Sequence, residues 1–105
     1  MWNAWPFRRR YTWVRKHNVY SKDTRQFSWG RGHDRIGYLN YRDGLRSIPV
    51  LFELGSWSND IVLRAPQGPW TRDDGATEPV TAEEARAVVA NIAEALAERD
   101  YRVGN

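Results

Sequence analysis

The sequence predicts an α+β fold: an antiparallel sheet of about four to six strands packed by one C-terminal helix. Three observations carry this. Apolar residues alternate through "RIGYLNYR" and "LRSIPVLFEL" on either side of Asp43-Gly44, a hairpin pattern. The period then changes, and Ala85, Val88, Val89, Ile92 and Leu96 recur at helical spacing behind a Thr81-x-x-Glu84 capping box. Strand patterns come first and the helix pattern last, so the two kinds of element segregate rather than alternate. At 105 residues, a single domain with one core is expected.

The first ten residues, "MWNAWPFRRR", have no periodicity and are expected to be loosely attached. Strands begin at "YTWVRK", where Tyr11, Trp13 and Arg15 alternate with Thr12, Val14 and Lys16; "TRQFSW" alternates more weakly. The hairpin is the clearest element. A type I′ turn at Asp43-Gly44 sets Leu39 opposite Ile48, Tyr41 opposite Arg46 and Gly37 opposite Val50. Leu39, Tyr41, Ile48, Val50 and Phe52 then share the core face. Pro49 falls on the other face, cannot donate to a ladder, and marks an edge or a bulge.

"DIVLRA" (Asp60–Ala65) is a further short strand, and "GPWTRDDG" reads as a loop. The helix is expected over about 81–99, with an acidic first turn and with Arg99 in the last turn, where the helix dipole favours a cation. "YRV" at Tyr101–Val103 is a candidate last strand.

Composition narrows the function. There is no cysteine, so thiol catalysis, disulfides and thiolate metal sites are excluded. No apolar run is long enough to span a bilayer, the N-terminal stretch is a poor signal peptide, and a cytoplasmic location is expected. Charge is lopsided: residues 1–46 hold eleven Arg and Lys against three Asp, and residues 47–105 hold five Arg against ten acids. Six tryptophans are too many for a core of this size to hide with every indole N–H satisfied, so some belong at a surface or interface.

Catalytic groups are sparse. His17 and His33 stand outside any metal-binding spacing, and "GRGHDR" lacks the third glycine and the following helix of a phosphate loop. Asp73-Asp74 suits a turn better than a metal foothold, and Glu53 reads as a solvated carboxylate. No nucleophile stands with a base. Neither an enzyme, a cofactor nor a metal is expected.

Two binding functions remain. Arginines interleave with aromatics in "WPFRRRYTWVRK", "RQFSWGRGHDR" and "YLNYR", a composition suited to phosphate contacts and base stacking on single-stranded nucleic acid. The other function starts from residues 35–103: the hairpin, the "DIVLRA" strand, a tryptophan segment, "VTAEEARAVVANIAEAL" and "YRV". This order resembles the small α+β immunity proteins of bacterial polymorphic-toxin and contact-dependent inhibition systems, with Trp70 at their loop position and Val88–Leu96 as their helix motif. The prolines expected directly after the tryptophan are missing, and Pro79 arrives late.

The resemblance implies a stoichiometric inhibitor of a cognate toxin. Such a protein needs aromatic anchors ringed by polar residues rather than a catalytic constellation. Trp57 and Trp70 are the expected exposed anchors, the alternative being that they fold back as lids over the sheet and helix. Arg72, Asp73 and Asp74 supply directed polar contacts, and Arg42 and Arg46 flank the hairpin turn.

Overall fold

The computed structural model describes residues 12–14, 19–29, 35–55 and 60–104. The expected looseness of residues 1–10 and the proposed anchor Trp57 lie outside them.

The architecture is α+β, with one helix laid on one face of a sheet. Seven strands pair in the order β1 (Thr12–Val14), β2 (Val19–Lys22), β3 (Arg25–Ser28), β4 (Ile36–Asp43), β5 (Arg46–Leu54), β6 (Asp60–Leu63) and β9 (Arg102–Gly104). A small ribbon, β7 (Trp70–Arg72) and β8 (Thr77–Glu78), pairs with the start of β5. The helix α1 spans Ala82–Ala97.

Two expectations about the sheet are corrected. It has more strands than four to six, because β2 and the ribbon are short and carry little alternation. It is also mixed: β9 runs parallel to β6, with Ile61 opposite Val103. Between those strands the chain passes through α1, and a crossover through a helix returns a strand parallel to the one it left.

The hairpin register also differs from expectation. Tyr41 pairs with Ile48, Leu39 with Val50 and Gly37 with Phe52, a shift of two residues. The central turn residues are Gly44 and Leu45. Of these only Gly44 has a positive φ, +65°, which is a type II′ pattern rather than type I′. A two-residue shift preserves the faces where a one-residue slip would reverse them. Leu39, Tyr41, Ile48, Val50 and Phe52 are accordingly all buried. Pro49 lies outward, between the stretch of β5 that pairs with β6 and the stretch that pairs with β7, so its missing N–H breaks no ladder.

The core is aromatic. Tyr20, Phe27, Tyr41 and Trp70 form a row across the inner face, with successive ring centroids 5.0, 6.5 and 6.4 Å apart. Trp29 meets Phe52 edge-on at 4.7 Å and Tyr101 at 6.1 Å. Over this floor α1 buries Ala85, Val88, Val89, Ile92, Ala95 and Leu96, the stripe that helical periodicity marks. Asn91 donates from Nδ2 to the Tyr41 hydroxyl at 2.9 Å, and Lys22 ties Glu94 to β2 at 2.9 Å.

The capping box is present as predicted: Glu84 N–H donates to Thr81 Oγ1 and Thr81 N–H donates to Glu84 Oε1, both at 3.0 Å. Arg99 is not in the last turn. The helix ends at Ala97 with Glu98 as cap, and the last turn holds no cation.

Candidate protein-binding surface

The fold gathers most of the sequence-predicted residues at one end of the sheet, where three turns lie side by side. Gly44 N–H donates to Thr24 O at 2.9 Å, and Asp73 N–H donates to Leu45 O at 2.8 Å. The "GPWTRDDG" segment is therefore no free loop. It is the ribbon β7–β8, docked on β5 through Arg46 opposite Arg72 and Ser47 opposite Thr71.

Trp70 overturns the expectation of an exposed anchor, since it is only 1% exposed. At the first position of β7 its ring points under the helix. Its indole N–H donates to Glu84 Oε1 at 3.4 Å, and the Arg46 guanidinium lies 4.0 Å above its centroid. Glu84 thus serves the helix cap, the indole and Arg46 at once. Its carboxyl is held below the ordinary carboxylate range, first by the Thr81 backbone N–H and next by Arg46, with partial desolvation opposing them.

The two hairpin arginines part ways by strand alternation. Arg46 points inward and bridges Glu78 at 3.2 Å and Glu84 at 2.9 Å, joining sheet, ribbon and helix. Arg42 points outward and pairs with Asp73. Arg72 reaches Glu78 at 3.5 Å and Asp74 at 3.7 Å. Asp74 also accepts from Ala76 N–H at 2.9 Å, the local bond that favours Asp in turns. The two adjacent aspartates therefore serve different partners. Of the residues singled out, those described are tied into the fold itself.

The surface that sequence reasoning missed lies on the opposite side of the hairpin. The register turns four cross-strand pairs outward: Ile36 with Glu53, Tyr38 with Leu51, Asn40 with Pro49 and Arg42 with Ser47. Tyr38 is 70% exposed and Ile36 57% exposed, with Leu51 and Pro49 beside them. Where the chain leaves β6, residues 64–68 border this face and close a groove of about 490 Å³ with Tyr38, Pro49 and Leu51. Ion pairs rim it: Arg64 with Glu53 at 3.1 Å, and Arg42 with Asp73. Glu53 is thus paired rather than simply solvated. The signal was present in the sequence, because the same alternation that assigns Leu39 and Val50 to the core assigns Tyr38 and Leu51 to the other face.

Of the aromatics in the stretches suited to nucleic acid, Phe27, Trp29 and Tyr41 face the core and Tyr38 is exposed, while those of residues 2–13 lie outside the described side chains; Lys22, Arg25, Arg42 and Arg46 are paired with carboxylates. The described segments hold ten Arg and Lys against twelve Asp and Glu. The basic runs at 8–10 and 15–16 lie outside them.

Among the described residues, no group of three or more His, Asp or Glu is placed to hold a metal ion. No described helix is long and apolar enough to cross a membrane. No protein-family model, curated protein or solved structure matches the chain.

Proposed function

We propose that this chain is a non-enzymatic, stoichiometric inhibitor that binds a partner protein on the open face of its sheet. One observation supports this above the others: Tyr38 stands largely in solvent at the centre of an apolar strip, on a sheet whose other face packs against α1. A β-strand has no folding reason to present Tyr, Leu, Pro and Ile together to water. An apolar centre rimmed by ion pairs has the anatomy of a recognition surface. The partner we assign is a bacterial toxin, on the resemblance that residues 35–103 bear to immunity proteins. Covering the toxin's active site, or locking the toxin in an inactive form, then needs no chemistry from this chain.

The test is co-expression of the tagged chain with the product of the neighbouring upstream reading frame, followed by the mass of the complex and rescue of growth. A one-to-one complex is expected. Tyr38→Ala should keep the melting temperature and weaken the complex by about 2 kcal/mol, roughly thirtyfold in Kd. A complex unaffected by that change would move the site elsewhere. Purification with nuclease-sensitive nucleic acid instead would replace this function with the nucleic-acid one.

A further inference from the structure

The charges on the open face of the sheet cancel among the described residues. Three arginines stand on it or at its rim, and each meets a carboxylate there: Arg42 with Asp73, Arg64 with Glu53 at 3.1 Å, and Arg102 with Asp60 at 2.7 Å. Between these pairs the outward residues of β4 and β5 are uncharged, Tyr38 and Leu51 in one cross-strand row and Asn40 and Pro49 in the next. We infer that, while no partner is bound, this face packs against the same face of a second copy of the chain as a weak two-fold dimer. The packing stands on the face alone. That it withholds the face until a partner displaces the second copy rests on the function proposed above.

Three properties select a second copy as the occupant. The first is charge. A face of net charge repels its own copy, whereas a face whose charges cancel meets itself without that penalty. A strongly acidic or strongly basic surface finds no net charge here to match.

The second is layout. Ile36 and Glu53 stand at one end of the strip, and Arg42 and Ser47 at the other. A two-fold axis lying between the two faces and crossing the strands at mid-strip exchanges the ends. It brings Glu53 of each copy to the Arg42 end of the other, and Tyr38 onto the Asn40–Pro49 row. An axis along the strands would instead keep Arg42 level with Arg42 and Glu53 level with Glu53. Opposite charges therefore select the antiparallel stacking, a self-complementary contact of the commonest symmetry.

The third is area. Ile36 to Arg42 is about 20 Å along β4, and the four strands β3 to β6 lie side by side over about 19 Å, so each copy offers about 400 Å² of flat face. With side-chain relief the two copies bury on the order of 1,000 Å², the small end of specific interfaces and the size of a transient pair. Sheets stack in this way about 10 Å apart with their strands nearly aligned.

The experiment is sedimentation equilibrium of the full chain alone, from about 1 to about 500 µM. The parent should pass from monomer to dimer within that range. Tyr38→Ala should weaken the dimer roughly tenfold or more. Arg42→Glu and Glu53→Arg, each alone, should weaken it about fivefold or more, because like charges then meet at both ends. Mixed in equal amounts, the two variants should pair as the parent does, since opposite charges face each other at both ends of a mixed pair. Each variant still carries its clash within the chain, with Asp73 or with Arg64, so recovery on mixing reports the contact between copies. Both side chains are partly exposed, so the variants should fold, and circular dichroism checks it.

A monomer at every concentration, a dimer indifferent to Tyr38→Ala, or single variants that do not recover on mixing would each overturn the inference. The samples contain no partner, so these failures leave the partner-binding function standing. Loss of that function would instead appear as a partner complex indifferent to Tyr38→Ala while the dimer of the chain alone remains sensitive to it.

Discussion

Trp70 is held from three sides: by Arg46 over its face, by Glu84 at its indole N–H, and by the tilted ring of Tyr41 at 6.4 Å. Its removal would leave a cavity beneath the first turn of α1 and take the ring from beneath the Arg46 guanidinium. Trp70→Ala should therefore cost about 3–5 kcal/mol of folding stability, the range for a buried aromatic cut to alanine. Denaturant unfolding measures it. A loss below about 1 kcal/mol would mean the ring carries little of the core. The glycines and prolines around Trp70 are turn formers wherever they occur, so local sequence reads as loop. What buries the ring is Arg46 and Glu84, distant in the chain, and their convergence on Trp70 is a tertiary fact. Arg42, Arg72 and Asp73 were singled out as polar contacts for a partner. That Arg42 pairs with Asp73, and Arg72 with Asp74 and Glu78, depended on the same folding of β7 onto β5.

At the scale of elements, the helix start was legible because every part of its signal is local: Thr81 as cap, Glu84 three residues on, apolar residues at helical spacing. The hairpin was legible in its faces but not in its register. Turn chemistry decides register, and Gly44 serves a type II′ turn as readily as a type I′ turn. The parallel placing of β9 depends on where α1 returns the chain, which no stretch of three residues records. Glu84 adds an ion pair to Arg46 and an indole hydrogen bond to the apolar packing that joins α1 to the sheet, and this gives an acid-limb prediction. Its folded carboxyl titrates below the ordinary range, so its stabilising effect is complete above that range and is lost as pH falls through the depressed value. Glu84→Gln keeps a side chain that can complete the capping box but removes the charge facing Arg46. The variant should be less stable near neutral pH and converge on the parent at low pH. Parallel stability curves across the acid limb would show that the charge of Glu84 is not what matters.

At the scale of the whole molecule, the described residues form a sheet with two unlike faces, one packed by α1 and one that no described element covers. The open face is written in the alternation of β4 and β5, which sets Tyr38 and Leu51 on the side opposite Leu39 and Val50. The packed face has its own signature at high pH. Burial pushes the Tyr20 hydroxyl up to about 12, with the neighbouring Tyr101 adding to the effect. Burial also raises Tyr41, against the lowering effect of the Asn91 hydrogen bond. In the unfolded chain a tyrosine loses its proton near about 10. The folded state therefore holds protons that the unfolded state releases. Its stability is complete below the unfolded value and falls as pH rises through about 12 for Tyr20. Absorbance of the phenolate and far-ultraviolet circular dichroism, followed together on raising pH, should show the buried tyrosines ionising as the fold is lost. Tyr20→Phe has nothing to ionise at that position, and its alkaline unfolding midpoint should move upward. An unmoved midpoint would mean that another group, outside the row beneath α1, sets the alkaline limit of this fold.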